Sequence, residues 1–254
     1  MMAIQAVPAF TDNYIWIIEN GTDAVAVDPG EARPVQEFLQ SRGLNLRAVL
    51  ATHHHADHVG GVPELVAHWK CPTFGPAREV PAGIDHRLAE GDRFEVPGLG
   101  IELATLDIPG HTAGHIALYN TQMLFCGDTL FAAGCGRLFE GTPAQMNTSL
   151  AKLARLPGTT QVYCGHEYTL SNIKFALAVE PGNKVLAQRA LREAEKRGRN
   201  MPTLPSTIAD EIATNPFLRC TEPEVIASAS QHAGRALENE VEVFAEIRTW
   251  KNSF

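Results

Sequence analysis

The sequence predicts an α+β protein with two domains, a strand-rich domain (residues 1–168) and an all-helical domain (residues 169–254). Up to Cys164, short apolar runs alternate with turn residues and a few helical segments, which is the pattern of strands joined by loops. After Tyr168, apolar residues recur at helical spacing. The chain has 254 residues, of which 44% are hydrophobic and 20% charged. This is the composition of a soluble globular protein with a sizeable core.

The strand-rich domain begins with a predicted antiparallel hairpin, because two apolar runs flank the turn residues 19–22. The predicted strands cover residues 13–18, 24–27, 48–51, 101–108, 116–119, 123–126 and 161–164. Helices are predicted over 33–42 with Gly43 as a stop signal, over 62–69, and from Thr142 as N-cap with Pro143 at the first position. Several strands therefore end directly before polar residues.

The second domain is punctuated by prolines. Pro181, Pro202 and Pro205 interrupt a pattern that is otherwise helical. Helices are predicted around 170–177, over 185–197 and over 240–250, with a short helix capped by Ser206.

Charge and cysteine content exclude several classes of protein. The net charge of -8 and the pI near 5.7 argue against nucleic-acid and anionic-membrane partners. Five cysteines without a C-x-x-C pair predict neither a disulfide framework nor a cysteine-rich zinc site. The N-terminus lacks a signal-peptide pattern, and no run of about eighteen apolar residues occurs. We expect a cytoplasmic protein without a membrane span.

The stretch from Thr52 to His58 holds four histidines and one aspartate within seven residues, and it predicts a metal site. Imidazoles with one carboxylate favour zinc or iron. His53 and His55 would point to the same side of an extended backbone, and Asp57 could serve a second ion. The alternative is a solvated histidine tract. Histidine tracts of affinity tags lie at chain termini and contain neither an aspartate nor a following Gly-Gly, so this alternative is disfavoured.

Three further candidates stand behind glycines at predicted strand ends. They are His111, Asp128 and His166. Each alone is weak evidence, because a lone polar residue at such a place is usually a satisfied structural group. Their shared context is what makes them candidate ligands.

Together these residues resemble the signature of the metallo-β-lactamase superfamily, whose T-H-x-H-x-D-H motif stands here as Thr52 to His58. The resemblance covers about residues 4–168 and implies a four-layer αβ/βα sandwich with metals at one edge. It implies that His53, His55 and His111 bind one ion, that Asp57, His58 and His166 bind the other, and that Asp128 bridges them. His54 is left without a role at the metals, while Asp28 and His115 are candidates for orienting ligands.

Within that superfamily the chain resembles the glyoxalase II family, the hydroxyacylglutathione hydrolases. Residues 52–61, 126–131 with 134–137, 164–168 and 215–217 carry this resemblance. It implies that the helical domain binds glutathione, with Arg248 and Lys251 at the glycine end together with Arg137 and Tyr168. Some members of the family have Lys at the position of Arg137 and Tyr at the position of Phe139. The affinity of this protein for the peptide part of glutathione is therefore open.

The resemblance implies hydrolysis of S-D-lactoylglutathione to D-lactate and glutathione, the second step of methylglyoxal detoxification, by a hydroxide held between two divalent ions. Asp57 and Asp128 are the expected catalytic carboxylates, and Cys135 and Cys164 are expected to be structural. Zinc is the expected metal, and iron and manganese are also compatible with these ligands. The protein is expected to be a monomer. The rival hypotheses are an iron persulfide dioxygenase, a phosphodiesterase or nuclease, and a metal-binding or redox scaffold without activity. The native metal, the acyl preference and the oligomeric state stay open.

Overall fold

The computed structural model describes residues 2–254 and is built on two β-sheets of six strands each. The first sheet contains, in both spatial and chain order, β1 (Ala3–Ala9), β2 (Asn13–Glu19), β3 (Asp23–Val27), β4 (Asn45–Leu50), β5 (Thr73–Pro76) and β6 (His86–Leu88). Strands β1 to β3 are antiparallel neighbours, as the predicted hairpin requires. Strands β3 to β6 are parallel, so their carboxyl ends lie at one edge.

The remaining strands are β7 (Arg93–Val96), β8 (Ile101–Asp107), β9 (Ile116–Tyr119), β10 (Met123–Gly127), β11 (Leu130–Phe131), β12 (Gly134–Cys135), β13 (Gln161–Cys164) and β14 (Ser206–Thr207). The second sheet has the spatial order β14-β13-β10-β9-β8-β7, and β11 and β12 form a separate hairpin. Strands β10 and β13 are parallel, so Asp128 and His166 follow strands that end side by side.

The helices are α1 (Ala32–Arg42), α2 (Ala56–Val59), α3 (Val62–Trp69), α4 (Pro143–Leu153), α5 (Thr169–Val179), α6 (Lys184–Gly198), α7 (Ile208–Thr214), α8 (Pro223–Ala233) and α9 (Glu240–Ser253). Their predicted ends follow local chemistry. Gly43 ends α1 in the left-handed region at φ 65°, which costs glycine little. Thr142 starts α4 with a capping box, because its side chain accepts from Gln145 N and the Gln145 side chain binds the Thr142 backbone.

The main core lies between the two sheets, because each contributes one apolar face. Successive residues of a strand point to opposite faces, and in β2 both faces are buried. Trp16 joins Phe125 of the second sheet in the large core cluster. Ile17 packs with Val35 of α1 in a smaller cluster on the outer side. The predicted four-layer sandwich with a helical C-terminal region is thereby confirmed.

The C-terminal region differs from the prediction in two details. The predicted role of Ser206 as a helix cap is wrong: Ser206 lies in β14 and pairs with Val162 of β13. Thr207 caps α7 instead, by accepting from Asp210 N. Helix α8 is an addition that the periodicity did not indicate. The pairing of β14 is set by a strand far away in the chain, so local pattern alone could not predict it.

Candidate metal centre

The seven predicted ligands converge at one edge of the sandwich. Four of them follow β4, and one each follows β8, β10 and β13. These strands belong to both sheets, so the packing of the sheets brings the four segments together.

The first group contains His53, His55 and His111, whose ligand nitrogens all lie within 4.8 Å of one another. His55 Nδ1 and His111 Nε2 are 3.0 Å apart. Two nitrogens that bind one ion at about 2.0–2.1 Å lie roughly 3.0–3.4 Å apart at right-angle or tetrahedral geometry. The spacing of this pair therefore fits one edge of a coordination shell.

The second group contains Asp57, His58 and His166. The Nε2 atoms of the two histidines are 3.4 Å apart, and Asp57 Oδ2 lies 3.5 Å from each of them. The ligand atoms of this group also lie within 4.8 Å of one another, with a carboxylate in place of one imidazole.

Asp128 lies between the two groups. Its Oδ2 is 3.5 Å from His111 Nε2 and 3.2 Å from His166 Nε2, and its Oδ1 is 3.3 Å from His58 Nε2. One carboxylate therefore reaches ligand atoms of both groups, as a bridging ligand must.

Asp28 holds the ring proton of His58 on the outer side of the site directly, and that of His53 through the Thr52 hydroxyl. The Thr52 hydroxyl donates to Asp28 Oδ2 at 2.7 Å and lies 3.1 Å from His53 Nδ1, so it accepts from that nitrogen. The same carboxylate oxygen lies 3.2 Å from His58 Nδ1. Both rings then present the lone pair of Nε2 to the interior of the site.

Two more ligands are oriented in the same way. His111 Nδ1 lies 2.9 Å from the Arg137 carbonyl, and His166 Nδ1 lies 2.8 Å from Asp12 Oδ1. Both oxygens are acceptors, so the rings donate outward and their Nε2 atoms face Asp128. His53 Nε2 is buried without a hydrogen-bond partner. A buried lone pair without a partner is costly in water-free surroundings, and a metal ion would satisfy it.

Electrostatics favour the protonation states that metal binding needs at His53, His55, His111 and Asp128. At His58 and His166 the neighbouring carboxylates raise the pKa against the effect of burial, so an ion that binds there displaces a proton. Burial lowers the pKa of His53, His55 and His111, which keeps these rings neutral. Burial alone would raise the pKa of Asp128, but the neighbouring His58 and His166 rings hold it well below its usual range. Neutral imidazoles and an ionised carboxylate are the ligating forms. The residues present therefore fit a site for two divalent ions.

His115 and His54 have different surroundings. His115 is fully buried, accepts from Asp128 N at 3.2 Å and stacks on the His53 ring with centroids 4.4 Å apart, so it supports two candidate ligands. His54 is about one third exposed, and its ring nitrogens lie 3.3 Å from Glu79 and Glu140. Both of these carboxylates lie outside the set of seven candidate ligands.

A cavity of about 620 Å³ opens over the ligand cluster, within the range of small-molecule sites. It is lined by His55, Asp57, His111, Asp128, Phe131, Cys135, Arg137, Phe139, His166, Tyr168, Ser171, Asn172, Arg248 and Lys251. The four predicted substrate-binding residues thus share one cavity with the candidate ligands.

Those four residues are held in different ways. Tyr168 stacks on His166 with centroids 4.7 Å apart, and Arg137 has an exposed side chain. Burial lowers the pKa of Lys251 to about 8, with a further contribution from the charge of Arg248. Arg248 is buried and donates from Nη1 to the Cys135 carbonyl at 2.8 Å. Its guanidinium therefore also holds the backbone of the cavity wall.

Two residues near the ligands were not predicted. Asp12 accepts from His166, and Asn13 donates to Asp57 Oδ2 at 3.0 Å. Asp12 lies in the turn between β1 and β2 and Asn13 is the first residue of β2, and both come more than forty residues before their partners. A polar turn residue is so common that its sequence carries no signal for this role.

Comparisons with known proteins agree with this geometry. Residues 9–166 match the family described as the metallo-beta-lactamase superfamily, which is the class that the fold and the site define. Residues 167–254 match the family described as hydroxyacylglutathione hydrolase C-terminus. The chain is 55% identical to a hydroxyacylglutathione hydrolase of Nitrosomonas europaea over its whole length and 97% of that protein. It is 57% identical to one of Alkalilimnicola ehrlichii, over 99% of each chain.

The chain belongs to the hydroxyacylglutathione hydrolase family. Solved structures support the fold more broadly. ETHE1 from Myxococcus xanthus matches with a TM-score of 0.66 at 22% identity over 100% of this chain and 99% of that chain. TTHA1623 in a di-iron-bound form matches with a TM-score of 0.59 at 25% identity over 85% of this chain and 100% of that chain.

Proposed function

We propose that this enzyme hydrolyses S-(2-hydroxyacyl)glutathione thioesters, chiefly S-D-lactoylglutathione, to the hydroxy acid and glutathione. The observation that carries the proposal is the shared cavity, in which two groups of inward-facing ligand atoms lie beside Arg137 and Lys251. The relatives at 55% and 57% identity are named for this activity over nearly the whole chain.

The proposed cofactors are two divalent ions, with zinc as the first choice. His53, His55 and His111 would hold one, Asp57, His58 and His166 the other, and Asp128 both. When bound, such ions lower the pKa of water towards 7 and polarise a carbonyl oxygen. Iron and manganese accept the same donors, and a protein of this fold has been solved with two irons.

The proposed catalytic carboxylates differ in surroundings. Asp128 is buried at the centre of the site and fixes both groups. The Asp57 side chain is 41% exposed, and Asn13 holds its Oδ2 at 3.0 Å, so the carboxylate connects the site with solvent and can relay the proton of the attacking water. The thiolate leaves without strong acid assistance, because a thiol has a pKa of about 8.5.

The proposed substrate fits the charges of the cavity. Glutathione carries two carboxylates, and cations that bind a carboxylate gain charge-assisted hydrogen bonds. In this proposal Lys251 and Arg248 bind the glycine carboxylate, and Arg137 and the Tyr168 hydroxyl bind along the peptide, which is supported by the position of all four in the lining of the cavity. The Phe139 ring stands edge-on to His111 with centroids 5.2 Å apart and offers an apolar surface to the peptide part of the substrate.

We also propose that residues 1–168 form a metal-binding region and residues 169–254 a glutathione-binding region. We further propose that the protein is cytoplasmic and monomeric. Lys251 and Arg248 of α9 reach the cavity, which supports the first point. All five cysteines are buried and free, which supports a reducing compartment. Among residues 2–254, no helix is both long and apolar enough to cross a membrane. Light scattering after gel filtration tests the monomer.

Thiol release from S-D-lactoylglutathione tests the activity directly. We expect metal-dependent release, loss of release on chelation, and recovery on adding zinc. A parallel assay of oxygen consumption with glutathione persulfide tests the dioxygenase alternative. Absence of metal-dependent thiol release, or oxygen consumption at a comparable rate, would contradict the proposal.

A further inference from the structure

Glu79 lies in the loop after β5 and contributes nothing to the cavity, yet its carboxylate is placed between two segments that carry candidate ligands. Its side chain is 9% exposed. We name these segments the first ligand loop (residues 52–58) and the second ligand loop (residues 109–115). They follow β4 of the first sheet and β8 of the second sheet, so no single sheet fixes their distance.

The Glu79 carboxylate binds both loops at once. Its Oε1 accepts from His54 N of the first loop at 3.2 Å and from the Thr112 hydroxyl of the second loop at 2.7 Å. Its Oε2 accepts from Gly114 N at 2.6 Å. A largely buried carboxylate with three donors from two loops is a rigid connection, because hydrogen bonds to an ionised group are strong.

The connection explains two residues of the second loop besides His111. Thr112 is fully buried and uses its hydroxyl on Glu79. A Cβ at Gly114 would lie 2.8 Å from Glu79 Cγ, so only glycine allows the carboxylate to approach the backbone here. Both residues serve the contact with Glu79.

The bonded atoms lie next to two ligands of one metal group. His55 follows His54, and His111 precedes Thr112, and their ligand nitrogens are 3.0 Å apart. Asp57, His58 and His166 form the other group, and the contacts of Glu79 described above involve none of them. A change at Glu79 should therefore act on one metal group much more than on the other.

We propose that Glu79 is a positioning residue for the ion held by His53, His55 and His111. It fixes the separation of the two ligand loops and hence the geometry of that ion's coordination. The proposal rests on the two-ion site of the proposed function, but it is tested by metal binding and not only by activity.

The test is a zinc titration of metal-free protein against a chromophoric chelator, for the wild type and Glu79→Ala. Loss of a group that orients ligands typically costs about 10- to 100-fold in metal affinity. We expect a loss of this size for one of two ions and about threefold or less for the other. X-ray absorption of the variant with one equivalent of zinc should then report about two imidazoles, as in the group of Asp57, His58 and His166.

Two further variants sharpen the test. Glu79→Gln keeps the size and one acceptor oxygen but turns an amide towards the Gly114 N–H, so we expect a smaller loss at the same ion. If Glu79→Ala does not fold, the zinc affinities of Glu79→Gln decide whether Glu79 positions the ion. Glu140→Gln is the matched control, because Glu140 accepts from Ala113 N at 2.8 Å and faces His54 but is exposed. We expect Glu140→Gln to bind both zinc ions with the affinities of the wild type.

Unchanged zinc affinities in both Glu79 variants would overturn the proposal. So would equal weakening of both ions together with a lower melting temperature, since that is the result of a merely structural role, or an equal effect of Glu140→Gln. If the wild type binds two ions but releases no thiol, the proposed function fails while the titration still decides the role of Glu79.

Discussion

The first ligand loop and the final helix α9 both contribute to the cavity, but they do so in different ways. Residues 52–58 supply four candidate ligands from one short segment, and each can be recognised from its neighbours in the chain. In α9, Arg248 binds the carbonyl of Cys135, more than one hundred residues earlier. Chemistry that is concentrated in one segment can be read from sequence, whereas chemistry that depends on distant partners needs the fold.

The C-terminal region also supports the wall of the metal site. The turn from Phe131 to Cys135, which follows Asp128, has its backbone groups bound by side chains of that region. The contacts are Asn172 to the Ala132 carbonyl, Ala133 N to Glu211, Asn215 to the Phe131 and Gly134 carbonyls, and Arg248 to the Cys135 carbonyl. The two regions are therefore physically coupled at the cavity.

Asp128→Asn should have the largest effect, because the Asp128 carboxylate reaches ligand atoms of both metal groups. Loss of an orienting neighbour alone costs about 10- to 100-fold, so loss of a bridging ligand should lower kcat by more than about 100-fold. Steady-state kinetics and metal content measure this. Asp92→Asn on the surface is the control, and a kcat for Asp128→Asn within tenfold of the wild type would show that the bridge is not needed.

Asn215→Ala tests the coupling between the regions. The change leaves the Phe131 and Gly134 carbonyls buried without their donor. Each of the two unsatisfied buried groups costs about 1–3 kcal/mol, so we expect the free energy of unfolding to fall by about 2–6 kcal/mol in urea denaturation. Gln40→Ala, at an exposed position of α1, should change it little. Equal stability of the two variants would mean that the turn does not depend on the C-terminal region.

Lys251→Met should raise KM while leaving kcat nearly unchanged, since the ammonium lies in the cavity without being a candidate metal ligand. Hydrogen bonds to charged groups contribute about 1.5–3 kcal/mol, which corresponds to a KM increase of roughly 10- to 150-fold. Lys174→Met on the exposed side of α5 is the control. An unchanged KM, or a loss confined to kcat, would contradict a role of Lys251 in binding the glutathione carboxylate.

The pH dependence of KM should reflect the same lysine. Lys251 has a pKa lowered to about 8 by burial and by Arg248, so it is charged below pH 8 and loses its proton above. Because the charged form binds the carboxylate, KM should be low and flat below pH 7 and rise above pH 8. The rise should be absent in Lys251→Met, whose KM is already high. A wild-type KM that stays flat up to pH 9.5 would contradict this assignment.

Phe139→Tyr should have the smallest effect. The ring is 63% exposed at the cavity, and a hydroxyl there could bind the peptide part of the substrate. A net hydrogen bond is worth about 0.5–1.5 kcal/mol, so KM should fall by roughly 2- to 10-fold at constant kcat. Phe10→Tyr, exposed outside the cavity, is the control. A KM that rises in Phe139→Tyr would show that the apolar ring itself contributes to binding.

The sequence predicted the parts of the fold that local signals determine. Gly43 and Thr142 end and start their helices as expected, and the strand at residues 161–164 was predicted with its observed bounds. Strand β14 was not predicted, because two residues are too few to show a periodic pattern and because the strand forms only by pairing with β13. Local propensity is therefore a good guide to helices with caps and a poor one to short edge strands.

The same distinction holds in the candidate site. His111, Asp128 and His166 were predicted because glycines and apolar strands precede them. Asp12, Asn13 and Glu79 were not, because each is a polar residue in or beside a turn or loop and its importance lies only in the partner that folding brings to it. Among the groups that orient ligands, Asp28 and His115 could be predicted as candidates, whereas these three could not.

The central claim is that one cavity holds two ions and that both are needed for thioester hydrolysis. Zinc titrated into metal-free protein, with thiol release followed at each addition, tests it most directly. We predict that activity rises until two equivalents of zinc are bound and then stays constant. Full activity with one equivalent, or in the metal-free protein, would contradict the claim.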